Sequence, residues 1–326
     1  MATIKDVASR AGVSVATVSY ILNDTKPVSA ATRERVMAAI AELNYVPNKT
    51  AKNFKTGQTK VIAFIVPDIS NIYFTKIVEA MESRLHESGY SLIVANTKES
   101  AELEIQHLRT FTSGFADGII LASTMTSYTE IAPCIPDGYP VILLDRRLRN
   151  APADLINVTD QSAISDAVYS LVEAGCRKIG YIGDIPRLST SRERLYAFRN
   201  TMEDCRLPIE DSMIKEANSL LHDAYDKTHE LVEAGCQAII VSNNVMSVDV
   251  CLYLMQHPDT CKDIKVVGYE YSDFPQFNDF MTGHIELNER EMGYSAAEQL
   301  LSRLRFPAQP PKEILIRNQY REKRIR

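Results

Sequence analysis

The sequence predicts an α/β protein in which a small three-helix head precedes a larger body of two doubly wound parallel sheets. Three observations support this fold class. The first 46 residues contain capped amphipathic helices around a glycine. The charge balance changes from basic to acidic near residue 60, and short apolar runs alternate with amphipathic helices from residue 61 onward. At roughly 100–200 residues per domain, a chain of 326 residues has room for this head and for a two-lobed body.

The composition is that of an ordinary globular protein, with 45% hydrophobic and 24% charged residues. It excludes a disordered chain, a collagen-like repeat and a disulfide-dense mini-protein. The N-terminus lacks an apolar signal-peptide core, and no apolar run approaches the ~18 residues of a membrane span. Six cysteines are scattered without a C-x-x-C pair. We therefore expect reduced thiols, a cytoplasmic location and no membrane association.

The net charge of −6 hides an asymmetry between the two parts of the chain. Residues 1–60 carry nine Lys or Arg and four Asp or Glu, a balance of +5, whereas the remaining residues carry 27 and 38, a balance of −11. A basic head on an acidic body is typical of a nucleic-acid-binding module joined to a second function.

Three short helices are predicted in the head. Thr3 and Asp6 form a capping box at the start of the first helix. Gly12 supplies the permissive backbone of a tight turn, and Ser14 then caps a second helix that runs to about residue 22. Ser29 caps a third helix. Apolar residues recur at helical spacing in each segment, so the three helices bury a common core.

Two short helices around a glycine turn, with a third behind them, make a helix-turn-helix. The outward face of the second helix carries Ala16, Thr17, Tyr20 and Asn23 and little aliphatic bulk. Such a face suits the major groove, where the N-terminal residues of the helix reach base edges. The alternative is a three-helix bundle that binds no nucleic acid. Spacing alone does not separate the two, and the basic charge favours DNA.

The head also carries an ordered series of short motifs. They are Thr3-Ile4-Lys5-Asp6-Val7-Ala8, Ala11-Gly12-Val13-Ser14, Ala16-Thr17-Val18-Ser19, Leu22-Asn23, Val28-Ser29, Thr32-Arg33-Glu34-Arg35-Val36 and Tyr45-Val46-Pro47-Asn48. The series resembles the head of the LacI/GalR family of bacterial transcription regulators, and the rest of the chain extends the resemblance to nearly full length. It implies a DNA-binding domain over residues 1–46, a hinge helix or linker over 47–60, and an effector-binding and dimerisation domain over 61–326.

By this resemblance, Val15, Ala16 and Tyr20 read the half-site of a palindromic double-stranded operator. Val15 and Ala16 offer only apolar contacts, while Tyr20 offers a hydroxyl or packing on a thymine methyl. The other DNA-contacting positions that the resemblance implies are Thr3, Ser14, Thr17, Asn23, Ser29, Asn48, Ala51, Lys52, Phe54 and Lys55. Ser14, Thr17, Asn23 and Ser29 suit phosphates, which position a protein on DNA without specifying sequence.

The hinge has room for two helical turns over residues 48–55, and so short a helix is marginal alone in water. Members of the family fold this segment on DNA and insert an apolar side chain, usually Leu, into the minor groove. The corresponding residue here is Phe54, and insertion between base steps kinks a duplex. The alternative is a flexible basic linker with one exposed aromatic side chain.

From residue 61 the pattern predicts parallel sheets with helices on both faces. Buried strands are predicted over 61–66, 92–94, 118–121, 141–144, 178–182, 238–241 and 265–268. The pattern restarts near Ile156, so the body divides into two lobes, which fits a periplasmic-binding-protein-like fold. The resemblance implies three crossings between the lobes, with an N-subdomain of about 61–157 plus 286–311 and a C-subdomain of about 158–285 plus 312–326.

Ligands of such sheets bind beyond the carboxyl ends of the strands. That rule selects polar side chains that directly follow apolar runs: Asp68, Ser70, Asn71, Asp145, Arg146, Arg147, Asn243, Asn244 and Glu270. The resemblance adds Asp160 and Arg194 to the effector-binding set, and Tyr73 and Phe74 suit stacking on a sugar face. The alternative is that strand-end polar residues cap helices and turns. For Ser70, Asn71 and Asp160, capping is at least as strong an interpretation as ligand contact.

The expected effector is a sugar or a sugar derivative. Relatives usually carry Asn-Asp where this chain has Asn243-Asn244, and often Asp where it has Glu270, so the chain departs from the family at two pocket positions. Four arginines near one cleft, Arg146, Arg147, Arg192 and Arg194, indicate an anionic ligand such as a sugar phosphate or sugar acid, unless they pair structurally. A purine or nucleoside effector is the alternative.

The sequence contains no P-loop, G-x-G-x-x-G, G-x-S-x-G or H-E-x-x-H motif. We therefore expect no enzyme activity, no cofactor and no metal. A solute-binding protein without DNA function and a sugar-modifying enzyme on a similar fold are the alternatives. We expect a homodimer that places two heads on two half-sites, with an effector that changes DNA affinity by a coupling energy of ~1–3 kcal/mol. Release of a repressor by an inducer is the commoner sign of coupling in such systems.

Overall fold

The computed structural model describes residues 2–46, 58–270 and 280–323. The chain divides into two compact units, Met1–Thr59 and Lys60–Arg326, which we call the head and the body. The expected hinge residues Asn48, Ala51, Lys52, Phe54 and Lys55 lie outside the described residues. Within the described ranges, no helix combines the length and the apolar character needed to cross a membrane.

The head contains the three predicted helices, α1 (Ile4–Ala11), α2 (Val15–Asn23) and α3 (Ala30–Glu42). The Thr3 backbone N–H donates to Asp6 Oδ2 at 2.8 Å, and the Thr3 side chain accepts from the Asp6 backbone N–H, which confirms the capping box. Gly12 ends α1 in the left-handed conformation, with a φ of 64°. Val7, Val18 and Val36, one from each helix, are fully buried together and fix the three-helix arrangement.

The body alternates strands and helices. In chain order its elements are β1 (Val61–Val66), α4 (Ile72–Glu87), β2 (Ser91–Asn96), α5 (Ala101–Thr110), β3 (Gly118–Leu121), β4 (Val141–Leu144), β5 (Asp154–Thr159), α6 (Gln161–Glu173), β6 (Ile179–Gly183), α7 (Ser189–Asp204), β7 (Ile214–Glu216), α8 (Ala224–Glu233), β8 (Ala238–Val241), α9 (Asn244–Gln256), α10 (Pro258–Cys261), β9 (Lys265–Tyr269), β10 (Gly283–Glu286), α11 (Glu289–Arg305), β11 (Glu313–Arg317) and β12 (Gln319–Glu322). The predicted strands are confirmed, and the structure adds β5, β7 and β10 to β12.

Two six-stranded sheets form two lobes, which confirms the predicted fold class. The first sheet has the order β11-β5-β4-β3-β1-β2, with every pair parallel. The second has the order β12-β10-β9-β8-β6-β7, in which only β12 runs antiparallel to its neighbour. Each sheet carries apolar clusters on both faces, as continuous apolar strands require.

The chain crosses between the lobes three times, after β5, after β10 and after β11. The third crossing follows β11, and the expected subdomain boundary near residue 311 was therefore wrong. Glu313–Arg317 still pairs with Leu155–Thr159 in the first sheet, and the chain changes sheets at Asn318. The six cysteines are free, and all except Cys205 are buried.

Candidate functional site

The N-terminal half of α2 presents a small, exposed face. Val15 is 40% exposed at the first position of the helix, Ala16 is exposed, and Tyr20 is half-buried one turn later. The Tyr20 ring also lies under the Lys26 ammonium, with Nζ 4.8 Å from the ring centroid. The three residues expected to read bases therefore lie on one accessible surface beside a cation, as the helix-turn-helix geometry requires.

Three of the expected DNA-contacting residues are helix N-caps. The side chains of Thr3, Ser14 and Ser29 accept the backbone N–H three residues later in α1, α2 and α3, respectively. Asn23 is held within α2, where its side-chain Nδ2 donates to the Ser19 carbonyl oxygen at 2.8 Å. Capping is therefore the role that the structure shows for these three hydroxyls. Because helix N-termini also attract anions, contact with the DNA backbone stays a prediction for them.

The carboxyl ends of strands from both sheets meet at one interlobe pocket. Eight of the ten expected effector-binding residues line it: Asp68, Asn71, Tyr73, Phe74, Arg146, Arg194, Asn243 and Asn244. The cavity has a volume of about 50 Å³. The strand-end rule for α/β sheets selected five of these eight residues, Asp68, Asn71, Arg146, Asn243 and Asn244.

Two expected residues do not line the pocket. Asp160 lies behind it, where it is 8% exposed and borders a neighbouring cavity of about 200 Å³. Glu270 follows β9, and its backbone N–H donates to the Ile285 carbonyl oxygen at 3.0 Å. The structure therefore assigns Asp160 a supporting position and places Glu270 outside the lining.

Asp160 supports the pocket through Arg194. Arg194 Nε donates to Asp160 Oδ2 at 2.6 Å, and Arg194 Nη1 donates to the Ser242 carbonyl oxygen at 2.8 Å. The guanidinium carbon lies 4.4 Å from the centroid of the Tyr269 ring. Burial alone would lower the pKa of Arg194, but Asp160, Tyr269 and Asp145 together outweigh burial and raise it, so the guanidinium is charged.

Two of the four arginines expected near the cleft make contacts elsewhere. Arg147 forms an ion pair with Glu313 on the surface, and Arg192 Nη1 donates to the backbone carbonyl oxygens of Pro186 and Arg187. Arg146 and Arg194 are the arginines that line the pocket, and each has a carboxylate partner. Two of the four expected arginines therefore line the pocket, and both are paired with carboxylates.

Carboxylates outnumber guanidinium groups in the pocket lining. The described residues there include four carboxylates, Asp68, Glu99, Asp145 and Asp184, against Arg146 and Arg194. Glu99 and Asp184 were not among the pocket residues that the sequence predicted. Asp184 directly follows β6, so the rule that selected the other strand-end residues also applies to it.

Two of these carboxylates accept hydrogen bonds from neutral groups. Tyr73 Oη donates to Asp145 Oδ1 at 2.8 Å in a buried contact, and burial together with the Asp145 charge raises the pKa of Tyr73 well above its usual value. Asp184 Oδ2 accepts from Asn243 Nδ2 and from Ser219 Oγ, each at 3.0 Å. Both carboxylates thus lie in the pocket as oriented acceptors.

Direct hydrogen bonds join the two lobes around the pocket. Asn244 Nδ2, from the second lobe, donates to Asn71 Oδ1 of the first lobe at 2.8 Å. Arg187 Nη1 of the second lobe donates to the Thr124 carbonyl oxygen at 3.0 Å, and the Arg147 backbone N–H donates to Ser189 Oγ at 2.9 Å. The pocket is therefore bounded by contacts that depend on the relative position of the lobes.

Comparison with known proteins agrees with this arrangement. Residues 3–48 match the family described as "Bacterial regulatory proteins, lacI family", and residues 59–324 match "Periplasmic binding proteins and sugar binding domain of LacI family". The chain is 32% identical over 308 residues to the ribose operon repressor of Bacillus subtilis, a match that covers 92% of this chain and 91% of that protein. It is 30% identical over 333 residues to the transcriptional repressor PurR of Vibrio parahaemolyticus, which covers 98% of each.

Solved structures show the same fold. The lac repressor dimer bound to operator and an anti-inducer superposes with a TM-score of 0.85 at 24% identity, covering 98% of this chain and 97% of that one. A LacI family transcriptional regulator from Enterococcus faecium with bound ribose superposes with a TM-score of 0.70 at 20% identity, covering 80% and 97%.

Proposed function

The chain belongs to the LacI family of bacterial regulatory proteins, and we propose that it is a repressor whose operator binding is controlled by a neutral monosaccharide held between its two lobes. DNA binding and transcription regulation are the activities of the family. The class of effector is our inference from the charges and hydrogen bonds of the interlobe pocket.

The observation that carries this proposal is the pairing of the pocket charges. Arg146 is paired with Glu99 and Arg194 with Asp160, whereas Asp145 and Asp184 accept hydrogen bonds from neutral groups. An anionic ligand would meet an excess of carboxylates in this lining. A neutral polyol supplies hydroxyl donors to the carboxylates and hydroxyl oxygens to the guanidinium groups without adding a charge.

The size of the pocket supports a small effector. A water molecule requires roughly 10–15 Å³ of such cavity volume, so about 50 Å³ corresponds to a handful of water-sized positions. Tyr73 and Phe74 add two aromatic side chains, with ring centroids 5.1 Å apart and planes inclined by 67°. Because the B. subtilis relative is named for the ribose operon and the E. faecium structure holds ribose, a pentose is the first candidate.

The head supplies the other half of the mechanism. We propose that a homodimer presents two α2 helices to two half-sites of a palindromic operator, so that protein symmetry matches operator symmetry. Effector binding then changes operator affinity by the coupling energy between the two sites. A typical coupling of ~1–3 kcal/mol corresponds to about a 5–150-fold change in affinity.

A thermal-shift screen followed by operator titration tests the proposal. Neutral pentoses and hexoses, their phosphate esters, their acids and purine bases are compared at matched ionic strength, because a ligand at about 100 times its Kd stabilises the folded protein by about 2.7 kcal/mol. A palindromic operator is selected from a random duplex pool, and its affinity is measured by fluorescence anisotropy with and without each hit. We expect a neutral monosaccharide to raise Tm and to change operator affinity.

A matched pair of variants locates the binding site. Asp184→Asn removes a pocket carboxylate and is expected to abolish the sugar-dependent Tm shift, whereas Asp166→Asn, at an exposed position of α6, is expected to retain it. A response restricted to purines would favour the PurR-like alternative, which the Vibrio relative suggests. A response restricted to phosphate esters or sugar acids would contradict the inference of a neutral effector.

A further inference from the structure

Glu99 occupies an unusual backbone position at the edge of the pocket. It follows β2, and both Lys98 and Glu99 adopt the left-handed conformation, with φ angles of 50° and 58°. Two successive residues other than glycine in this region are uncommon, and such geometry persists where the surrounding structure fixes it. The Glu99 backbone N–H donates to the Pro67 carbonyl oxygen at 3.3 Å, and its side chain contacts two arginines.

Glu99 pairs with an arginine from each lobe. Arg146 Nη1 donates to Glu99 Oε2 at 3.1 Å, and Arg146 Nη2 donates to Oε1 at 2.5 Å, in a bidentate arrangement. Arg187 reaches Glu99 from the second lobe, with its Nη2 3.5 Å from Oε2. The Glu99 and Arg146 side chains are 11% and 10% exposed, so this contact is largely removed from solvent.

The pairing leaves Arg146 with little to offer an anion. Its Nη1 also donates to the Ser123 carbonyl oxygen at 3.2 Å, so both terminal nitrogens are engaged. Its Nε is buried and has no hydrogen-bond partner within the described part of the chain. Three of the five N–H groups of Arg146 are therefore engaged by Glu99 and Ser123. Because the Glu99 carboxylate also balances the guanidinium charge, the remaining donors favour a hydroxyl or ring oxygen over an anion.

We propose that Glu99 determines the charge selectivity of the effector pocket: its carboxylate occupies the two arginines that would otherwise form an anion site. The inference rests on the proposed function in one respect, since it explains why the effector is neutral. Without the Glu99 carboxylate, Arg146 and Arg187 would share a partly desolvated space with no anionic partner between them. Two guanidinium groups in that arrangement are the usual receptor for a phosphate or a carboxylate.

The test compares Glu99→Gln with Glu313→Gln, using inorganic phosphate as the probe. Glu313 forms the same type of ion pair with Arg147, but at an exposed site outside the pocket. Tm and phosphate binding are measured on the full chain in a phosphate-free buffer, with sodium chloride at equal ionic strength as the reference. We expect Glu99→Gln to gain a phosphate-dependent rise in Tm and about a ten-fold or greater gain in phosphate affinity. The wild type and Glu313→Gln should show neither.

Two further variants keep the test decisive. Glu99→Asp retains the carboxylate and should remain insensitive to phosphate, while Glu99→Gln combined with Arg146→Gln should fold and lose the gain. If Glu99→Gln folds only in phosphate, that result also supports the proposal. The proposal is overturned if Glu99→Gln is as insensitive as Glu313→Gln, if it fails to fold even in phosphate, or if the gain persists without Arg146.

The phosphate experiment is independent of the search for a natural effector. If no neutral sugar binds, the proposed function fails while the response of Glu99→Gln to phosphate still reports on Glu99. If the wild type itself binds phosphate in the pocket as tightly as Glu99→Gln does, the assignment of selectivity to Glu99 is wrong.

Discussion

Replacing Asp160 by Asn tests whether a buried ion pair holds the pocket arginine in place. Asp160 Oδ2 accepts from Arg194 Nε at 2.6 Å, and Asp160 Oδ1 accepts from Asn318 Nδ2, also at 2.6 Å. Asp160 lies just after the first crossing between the lobes, and Asn318 lies at the third. One carboxylate therefore joins the pocket to two of the segments that connect the lobes.

The expected cost follows from burial. The Asp160 and Arg194 side chains are 6% and 13% exposed. Removal of one partner from a buried ion pair destabilises a protein by about 3–5 kcal/mol, because the other charge is left uncompensated. At about 2–4 °C per kcal/mol for a large domain, Tm should fall by roughly 6–20 °C. Glu286→Gln is the matched control, since the Glu286–Arg321 pair is 39% and 54% exposed and such pairs contribute about 0–1 kcal/mol.

Circular dichroism and calorimetry provide the readout, because the chain contains no Trp to report unfolding. Asp160→Asn should lower the Tm of the body and weaken effector binding, since Arg194 lines the pocket. Glu286→Gln should leave both close to the wild-type values. Equal Tm shifts of about 2 °C or less in the two variants would refute the reasoning, because exposed and buried pairs would then contribute alike.

Three other perturbations have defined outcomes. Burial raises the pKa of Glu104 above its ordinary value of 4.5, so the Glu104 carboxyl should make the free energy of unfolding fall as pH rises from that value through the raised pKa. In urea unfolding between pH 4 and pH 8, this fall should be smaller for Glu104→Gln than for the wild type, and an identical pH dependence of the two proteins would contradict the prediction. Gly293→Ala should destabilise the first lobe by about 1–3 kcal/mol in urea unfolding, because a Cβ there would overlap the Ile77 carbonyl oxygen. Phe54→Ala should weaken specific operator binding far more than non-specific binding in anisotropy titrations, and equal losses would exclude a wedge.

The sequence predicted the elements whose signals are local. Capping residues such as Thr3 and Ser14 fix helix starts through their own side chains, and an apolar run such as 141–144 is buried on both faces in any parallel sheet. The third crossing is different. Residues 313–322 continue as two short strands with no glycine or proline between them, so nothing local marks Asn318 as the point where the chain changes sheets.

The pocket shows the same division between local and non-local information. Asn71, Arg146 and Asn243 were predictable because parallel strands bring their carboxyl ends to one edge. The place of Glu99 depends on two left-handed residues and on an arginine from the other lobe. Neither the backbone conformation of a non-glycine residue nor a partner 88 positions away in the sequence leaves a local pattern.

The free energy of the interlobe hydrogen bonds is consistent with the proposed allosteric mechanism. A ligand shifts a conformational equilibrium only by its differential interaction with the two states. Three of the direct bonds across the cleft join Asn244 to Asn71, Arg187 to Thr124 and Arg147 to Ser189. They contribute about 0.5–1.5 kcal/mol each, or roughly 1.5–4.5 kcal/mol together. This range overlaps the ~1–3 kcal/mol of a typical allosteric coupling. The free energy of these contacts is therefore comparable with the coupling that control of operator affinity requires.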